Sequence, residues 1–296
     1  MFDRISRSWN LARQCWAVLK GDPELLVFPL FSSVALIVLV ASFAWPVWTI
    51  YHGLDPVDTA GSTTHTARLM FYVVLGVFYV VAYSVMMFFN TALIAVALRR
   101  LDGEPAGIAE GIQCALSNLA CILAYAVIAA TVGAVLRAVE ERVGFIGRIV
   151  VALIGAGWTL ASSMTLPVLA TESVGPIEAI SRSMELMRDN WGENLVGNGG
   201  ISLGIMAVAI PCAIAGYFVL IVALATKQPG LIVIAGVMLA GIVFGLSLVS
   251  TTLHSIYTAA LYRFATRSDA TGSDALGSGN YAGIDRALLT EAYRRR

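Results

Sequence analysis

Hydrophobic residues run along this chain in six long stretches separated by short polar segments. They cover residues 25–51, 68–98, 114–138, 145–171, 198–225 and 229–262. Each exceeds the roughly 20 apolar residues that an α-helix needs to cross a bilayer. None alternates apolar and polar residues with a period of two, which leaves helices as the way to satisfy a backbone in lipid. The pattern predicts an all-α, polytopic transmembrane helix bundle of six spans, forming one domain over residues 1–267. Residues 268–296, rich at their start in Ser, Gly, Asp and Ala, read as a flexible tail. Asp22 and Glu24 sit just before the first stretch and no clear small-residue cleavage site follows it, so it reads as a retained helix.

Composition agrees with this pattern. The chain is 58% hydrophobic and 13% charged, where a soluble domain carries about a quarter charged residues. The net charge is zero, which gives no reason to expect nucleic acid as a partner. The placement of charge says more. With six spans, 14 of the 19 Lys and Arg residues fall on one side, among them Arg4, Arg7, Arg13, Lys20, Arg99, Arg100, Arg182, Arg188 and Arg263. Arg68, Arg137, Arg142, Arg148 and Lys227 fall on the other. The excess marks the first side as cytoplasmic, with both termini there. The connections on the opposite side, 52–67, 139–144 and 226–228, are too short to fold as a domain.

An internal repeat adds a second layer. Residues 5–16 read ISRSWNLARQCW and residues 180–191 read ISRSMELMRDNW. Ile5, Trp9, Ala12 and Trp16 fall at i, i+4, i+7 and i+11, as do Ile180, Met184, Met187 and Trp191. That spacing puts them on one helical face. The pattern predicts short amphipathic interfacial helices at about 5–19 and 180–195, anchored by Trp9, Trp16, Arg182, Arg188 and Trp191 in the headgroup region. A docking face for a cytoplasmic partner is the alternative reading. A worn third copy runs through Ile108, Ile112, Ala115 and Leu119. Each copy precedes a transmembrane hairpin, which suggests three two-span units related about the membrane normal.

Candidate chemistry is sparse. No catalytic motif appears and no pair of carboxylates lies deep in a span, so neither catalytic residues nor an enzyme activity are expected. Cys15, Cys114, Cys121 and Cys212 form no CxxC pair and no zinc-spaced cluster. Neither a metal nor any other cofactor is expected. Glu140 and Glu141 read as a solvated helix end among Arg137, Arg142 and Arg148, and Glu172 as a polar residue closing the fourth span. Asn90, Ser162, Ser163 and His254 are polar positions inside spans, where burial is costly. Asn90 and Ser162 lie 18 residues before Ile108 and Ile180. Asn90 and His254 lie nine before Arg99 and Arg263. They read either as interhelical hydrogen-bond glue, which the residue types favour, or as a central polar site between spans 2, 4 and 6. Pro46, Pro167 and Pro211 each free a carbonyl in or near a span. Gly200/Gly204, Gly241/Gly245 and the Ala126, Ala130, Ala134 and Ala138 stripe offer faces for close helix packing.

The segments FFNTALIAVALRRLDGEPAG, LPVLATESVGPIEAISRSMELMRDNWGENL and SIYTAALYRFA resemble a family of uncharacterised prokaryotic six-pass integral membrane proteins, domain of unknown function 6159. The likeness covers nearly the whole chain and implies a cell (inner) membrane protein. The short Glu-Ala-Ile-x-x-Ser element is also similar to the membrane domain fused to some glycerophosphodiester phosphodiesterases, but this sequence has no soluble phosphodiesterase domain. The family supplies no substrate or catalytic residue. The function expected is a non-enzymatic scaffold or accessory protein, acting on a partner protein or lipid at the cytoplasmic face. Its expected partners are the lipid bilayer, a cytoplasmic protein or further copies of itself. The alternative is a transporter or lipid-handling channel built around the polar positions.

Overall fold

A computed structural model describes residues 19–52, 63–172, 174–226 and 228–270. Among these the only regular elements are helices. A 3₁₀ turn at Pro23–Leu26 leads into α1 (Val27–His52). The chain continues through α2 (Thr63–Leu101), α3 (Ile108–Ser117), α4 (Leu119–Glu140), α5 (Phe145–Ala161), α6 (Thr165–Thr171), α7 (Pro176–Ala225) and α8 (Pro229–Ala270). Six segments are long and apolar enough to cross a membrane: Pro23–Thr49, Leu69–Leu101, Leu119–Glu140, Phe145–Thr171, Ser202–Ala225 and Gly230–Arg263. The chain is a multi-pass helical membrane protein.

Local chemistry sets the boundaries. Proline opens the 3₁₀ turn, α7 and α8, where its missing N–H costs no helical bond. Helix α2 stops at a glycine in the left-handed region, Gly103 with φ 81°. There Gly103 N–H donates to Arg100 O and Glu104 N–H to Arg99 O, the Schellman closure that favours glycine. The stretch expected at 114–138 is divided at Asn118. The Asn118 side chain and the Ser117 hydroxyl both donate to Cys114 O, competing with the helical ladder. Residues 114–117 therefore end α3, and the third span starts at Leu119.

The fourth span is broken between Ala161 and Thr165. Pro167 has no N–H to give, and its ring crowds the carbonyl four residues earlier, that of Ser163. The helix answers with tight turns, Ser163 N–H to Leu160 O and Thr165 N–H to Ser162 O. Pro46 and Pro211 lie inside α1 and α7, which run through them.

Segment 180–195 is helical but is not a separate element. It is continuous with the fifth span in the 50-residue α7, about 75 Å of helix at 1.5 Å per residue. Its apolar stripe also needs correction. Ile180 and Met187 are buried, but Met184 is exposed, and the buried face consists of Ala179, Ile180, Ser183, Leu186 and Met187. Ser183 lies near the middle of that arc, about 100° per residue around the helix. Helix 5–19, with Trp9 and Trp16, lies outside the described residues apart from Leu19, as does the Trp191 side chain. Helix α8 runs to Ala270, beyond the expected start of the tail.

The described chain forms two compact units. The first holds the residues up to Pro29, Leu93–Ile108 and those from Glu185 on. In it Leu25, Phe28, Leu93, Ile94, Val96, Ile256 and Tyr262 are buried. Arg100 binds Asp22 and also Glu24, at 3.0 Å, and donates from Nε to Ala106 O at 2.9 Å. Arg263 pairs with Asp102. These pairs tie the entry to the first span and the end of the sixth to the close of the second. A Cβ on Gly216 would lie 2.5 Å from Leu239 Cδ1, so glycine allows α7 and α8 to approach there.

The second unit holds Leu30–Ala92 and Ala109–Met184. Its buried residues include Thr91, Ile122, Tyr125, Ala126, Ala130, Met164, Val168 and Ser183. Phe43 packs on Phe78 with ring centroids 5.4 Å apart. Tyr79 Oη lies 3.4 Å from the place a Gly133 Cβ would take. Of the expected alanine stripe, Ala126 and Ala130 are buried, whereas Ala134 and Ala138 are exposed. A Cβ on Gly241 or Gly245, in the other unit, would meet nothing within 4 Å.

Candidate functional site: the break in the fourth span

Breaking a helix releases backbone groups that a membrane interior cannot hydrate. The fourth span shows how this chain deals with them. In an unbroken helix Ala161 O would accept from Thr165 N–H and Met164 N–H would donate to Leu160 O. Instead the Ser183 hydroxyl, from the first turns of α7, donates to Ala161 O at 2.6 Å. Ser183 Oγ in turn accepts from Met164 N–H at 3.0 Å. One fully buried side chain thus satisfies both ends of the break. Ser183 is the second serine of the ISRS repeat, so the motif contributes a clamp as well as its arginines.

The surroundings reinforce the clamp. Arg182, next to Ser183, faces Glu172 at 4.0 Å, at the end of the broken span, with both side chains half-buried. Glu172 is therefore paired with the repeat motif. Cys114, on α3, approaches Ala170 O at 3.4 Å. Tyr125, buried on α4, turns its hydroxyl towards Ser162 and Thr165.

The sequence-predicted polar positions fall in both units. Ser162 and Ser163 sit in the break and donate to Trp158 O and Leu160 O, each at 2.8 Å. Asn90, in the same unit, is half-buried and has a polar partner. His254 belongs to the other unit. Its Nδ1 lies 3.0 Å from Ser250 O and its Nε2 lies 3.3 Å from Ser202 Oγ. A carbonyl only accepts, so Nδ1 carries a proton, and a neutral ring then accepts from Ser202 at Nε2. That second bond joins α8 to α7. Of the anchors, Arg182 is half-buried against Glu172 and Arg188 is exposed. Arg137 and Glu141 form an exposed i,i+4 pair at 4.0 Å.

Among the described residues, no group of three or more His, Cys, Asp and Glu is placed to hold a metal ion. The described cysteines, Cys114, Cys121 and Cys212, form no disulfide with one another. Sequence reasoning missed Ser183, Thr165 and Tyr125. A signal for the first was present: Ser183 recurs at the same place in both ISRS copies, and Pro167 follows Ser163 by four residues.

Residues 69–273 match the model of a family of unknown function (DUF6159). The match covers well over half of the chain, which belongs to that family. No curated protein matches it.

Proposed function

We propose that this protein is a non-enzymatic membrane scaffold or accessory protein, working on a partner protein or on lipid at its basic, cytoplasmic face. The observation that carries this reading is the use made of the polar groups inside the spans. Ser162, Ser163 and His254 bond to carbonyls of their own helices, and His254 also joins α7 to α8. The His254–Ser202 bond is helix glue, worth roughly 0.5–2 kcal/mol, while Ser162 and Ser163 give their hydrogens to their own helices. The first turns of α7 meanwhile expose Ile177, Ser181, Met184 and Arg188, positions that share one helical face. That face belongs to the basic end, and the excess of Lys and Arg there supports a cytoplasmic side; a prokaryotic inner membrane is part of the same proposal.

The break in the fourth span favours a second reading, a transporter or lipid-handling channel, because discontinuous helices build transport sites. One experiment separates the two. A photo-crosslinker at position 177 in cells should trap one defined species, protein or lipid, and Arg188→Glu should reduce that yield without lowering the melting temperature. The scaffold reading fails if no defined species is trapped and purified protein in vesicles instead carries a solute flux that His254→Leu abolishes.

A further inference from the structure

Most threonines in these helices follow one habit, although Thr49 donates three residues back, to Pro46 O. Thr91, Thr131, Thr159, Thr171, Thr251, Thr252, Thr258 and Thr266 each donate a hydroxyl to the carbonyl four residues earlier. Thr165 does not. Its carbonyl four residues back is Ala161 O, which the Ser183 hydroxyl occupies at 2.6 Å. Thr165 is 0% exposed, and its Oγ1 closes no hydrogen bond among the described residues. The break between Ala161 and Thr165 thereby takes a side-chain hydroxyl away from its usual acceptor. A buried hydroxyl left in that condition is costly.

The groups around it are the right kind to complete a site. The Tyr125 hydroxyl, on a residue 4% exposed, is turned towards Ser162 and Thr165. Ser162 gives its hydrogen to Trp158 O, which leaves its oxygen able to accept. Two or three hydroxyls of this sort around one point match the two to four partners a buried water takes. None is charged, so a small neutral molecule suits them better than an ion.

We infer that the break in the fourth span binds one water molecule, held between the hydroxyls of Thr165, Tyr125 and Ser162. The water takes the hydrogen that Thr165 gives to no protein acceptor and donates in turn to Tyr125 and Ser162. The site exists because Pro167 breaks the helix and Ser183 closes the break, so it depends on the repeat motif docking as it does. It places an exchangeable polar molecule within a span, whichever reading of the protein's role holds.

The test is water-edited solid-state NMR of the isotope-labelled full chain in lipid bilayers. It reads the build-up of magnetisation from water protons at Thr165 against that at Thr91, which is equally buried but bonded to Met87 O. Thr165 should build up several-fold faster than Thr91, and Tyr125→Phe should bring it most of the way to the Thr91 rate. Build-up at Thr165 as slow as at Thr91 would overturn the site, as would a fast rate unchanged in Tyr125→Phe. Transfer from lipid glycerol protons in place of water would overturn the assignment to water. Thr165→Val provides a check that needs no Thr165 signal: its melting temperature should fall, and a rise would mean that the hydroxyl was dry and unsatisfied.

Discussion

Each span has one end nearer the segments that hold most of the Lys and Arg, its basic end, although Arg137 and Arg148 stand at the opposite ends of the third and fourth spans. The two ends are built differently. In α2 the buried residues run from Thr91 to Leu98, before Arg99 and Arg100, whereas Leu69, Met70, Tyr72 and Val73 at the other end are exposed. In α4 burial stops after Ala130, and in α8 it is concentrated from Thr252 to Ala265. The ion pairs of Arg100, Arg263 and Arg182 all lie at basic ends. Trp45 and Phe145, towards the opposite ends, are 75% and 80% exposed. Lipid solvates apolar side chains as well as a protein interior does, so hydrophobicity alone does not gather helices. What gathers them here is close packing together with polar bonds that lipid cannot replace, and both are supplied mainly at the basic ends.

Substitutions can break or sharpen that contrast. Ile256→Ala, at a fully buried position near the basic end of the sixth span, should cost about 2 kcal/mol. This is the low end for a large-to-small change, because the unfolded reference in lipid is not exposed to water. Unfolding in bilayer-like discs would measure it, and a loss near zero would mean that the basic end is not the stable part. Ser183→Ala should cost about 1–2 kcal/mol, because it leaves Ala161 O and Met164 N–H without their partner. Ser183→Thr should restore part of the loss.

The Arg263–Asp102 pair is partly exposed. A double-mutant cycle with Arg263→Ala and Asp102→Ala should therefore give a coupling of about 1 kcal/mol or less. Val237→Ala, on an exposed part of α8, should change stability by less than about 0.5 kcal/mol. A large loss there would reveal a helix face that another copy of the chain covers in the membrane.

The six spans were legible because hydropathy over some twenty residues dominates every local signal. Their boundaries were less so. The third span was placed from Cys114, but two side-chain bonds to Cys114 O divide the helix before Leu119, and hydropathy does not register such competition. The repeat was visible as letters, yet its apolar stripe pointed to Met184 where the fold buries Ser183. An apolar count gives a serine no weight, while the broken fourth span makes that hydroxyl the best partner available. The pairs of Arg100 with Asp22 and of Arg263 with Asp102 join residues distant in sequence, which no periodicity encodes. His254 was legible as an intramembrane polar residue, but Ser202, its partner 52 positions away, was not.

The central claim is that the polar groups within the spans bond to helix backbones and to one another and do not line a hydrated pathway. It is tested most directly by placing one cysteine at position 254 in a chain whose native cysteines are replaced by alanine or serine. The protein in sealed, oriented vesicles is then exposed to a membrane-impermeant thiol reagent from each side in turn. The account predicts no labelling from either side unless the protein is denatured. Rapid labelling from one side in the folded protein would show that water reaches the sixth span at that depth, and would contradict it.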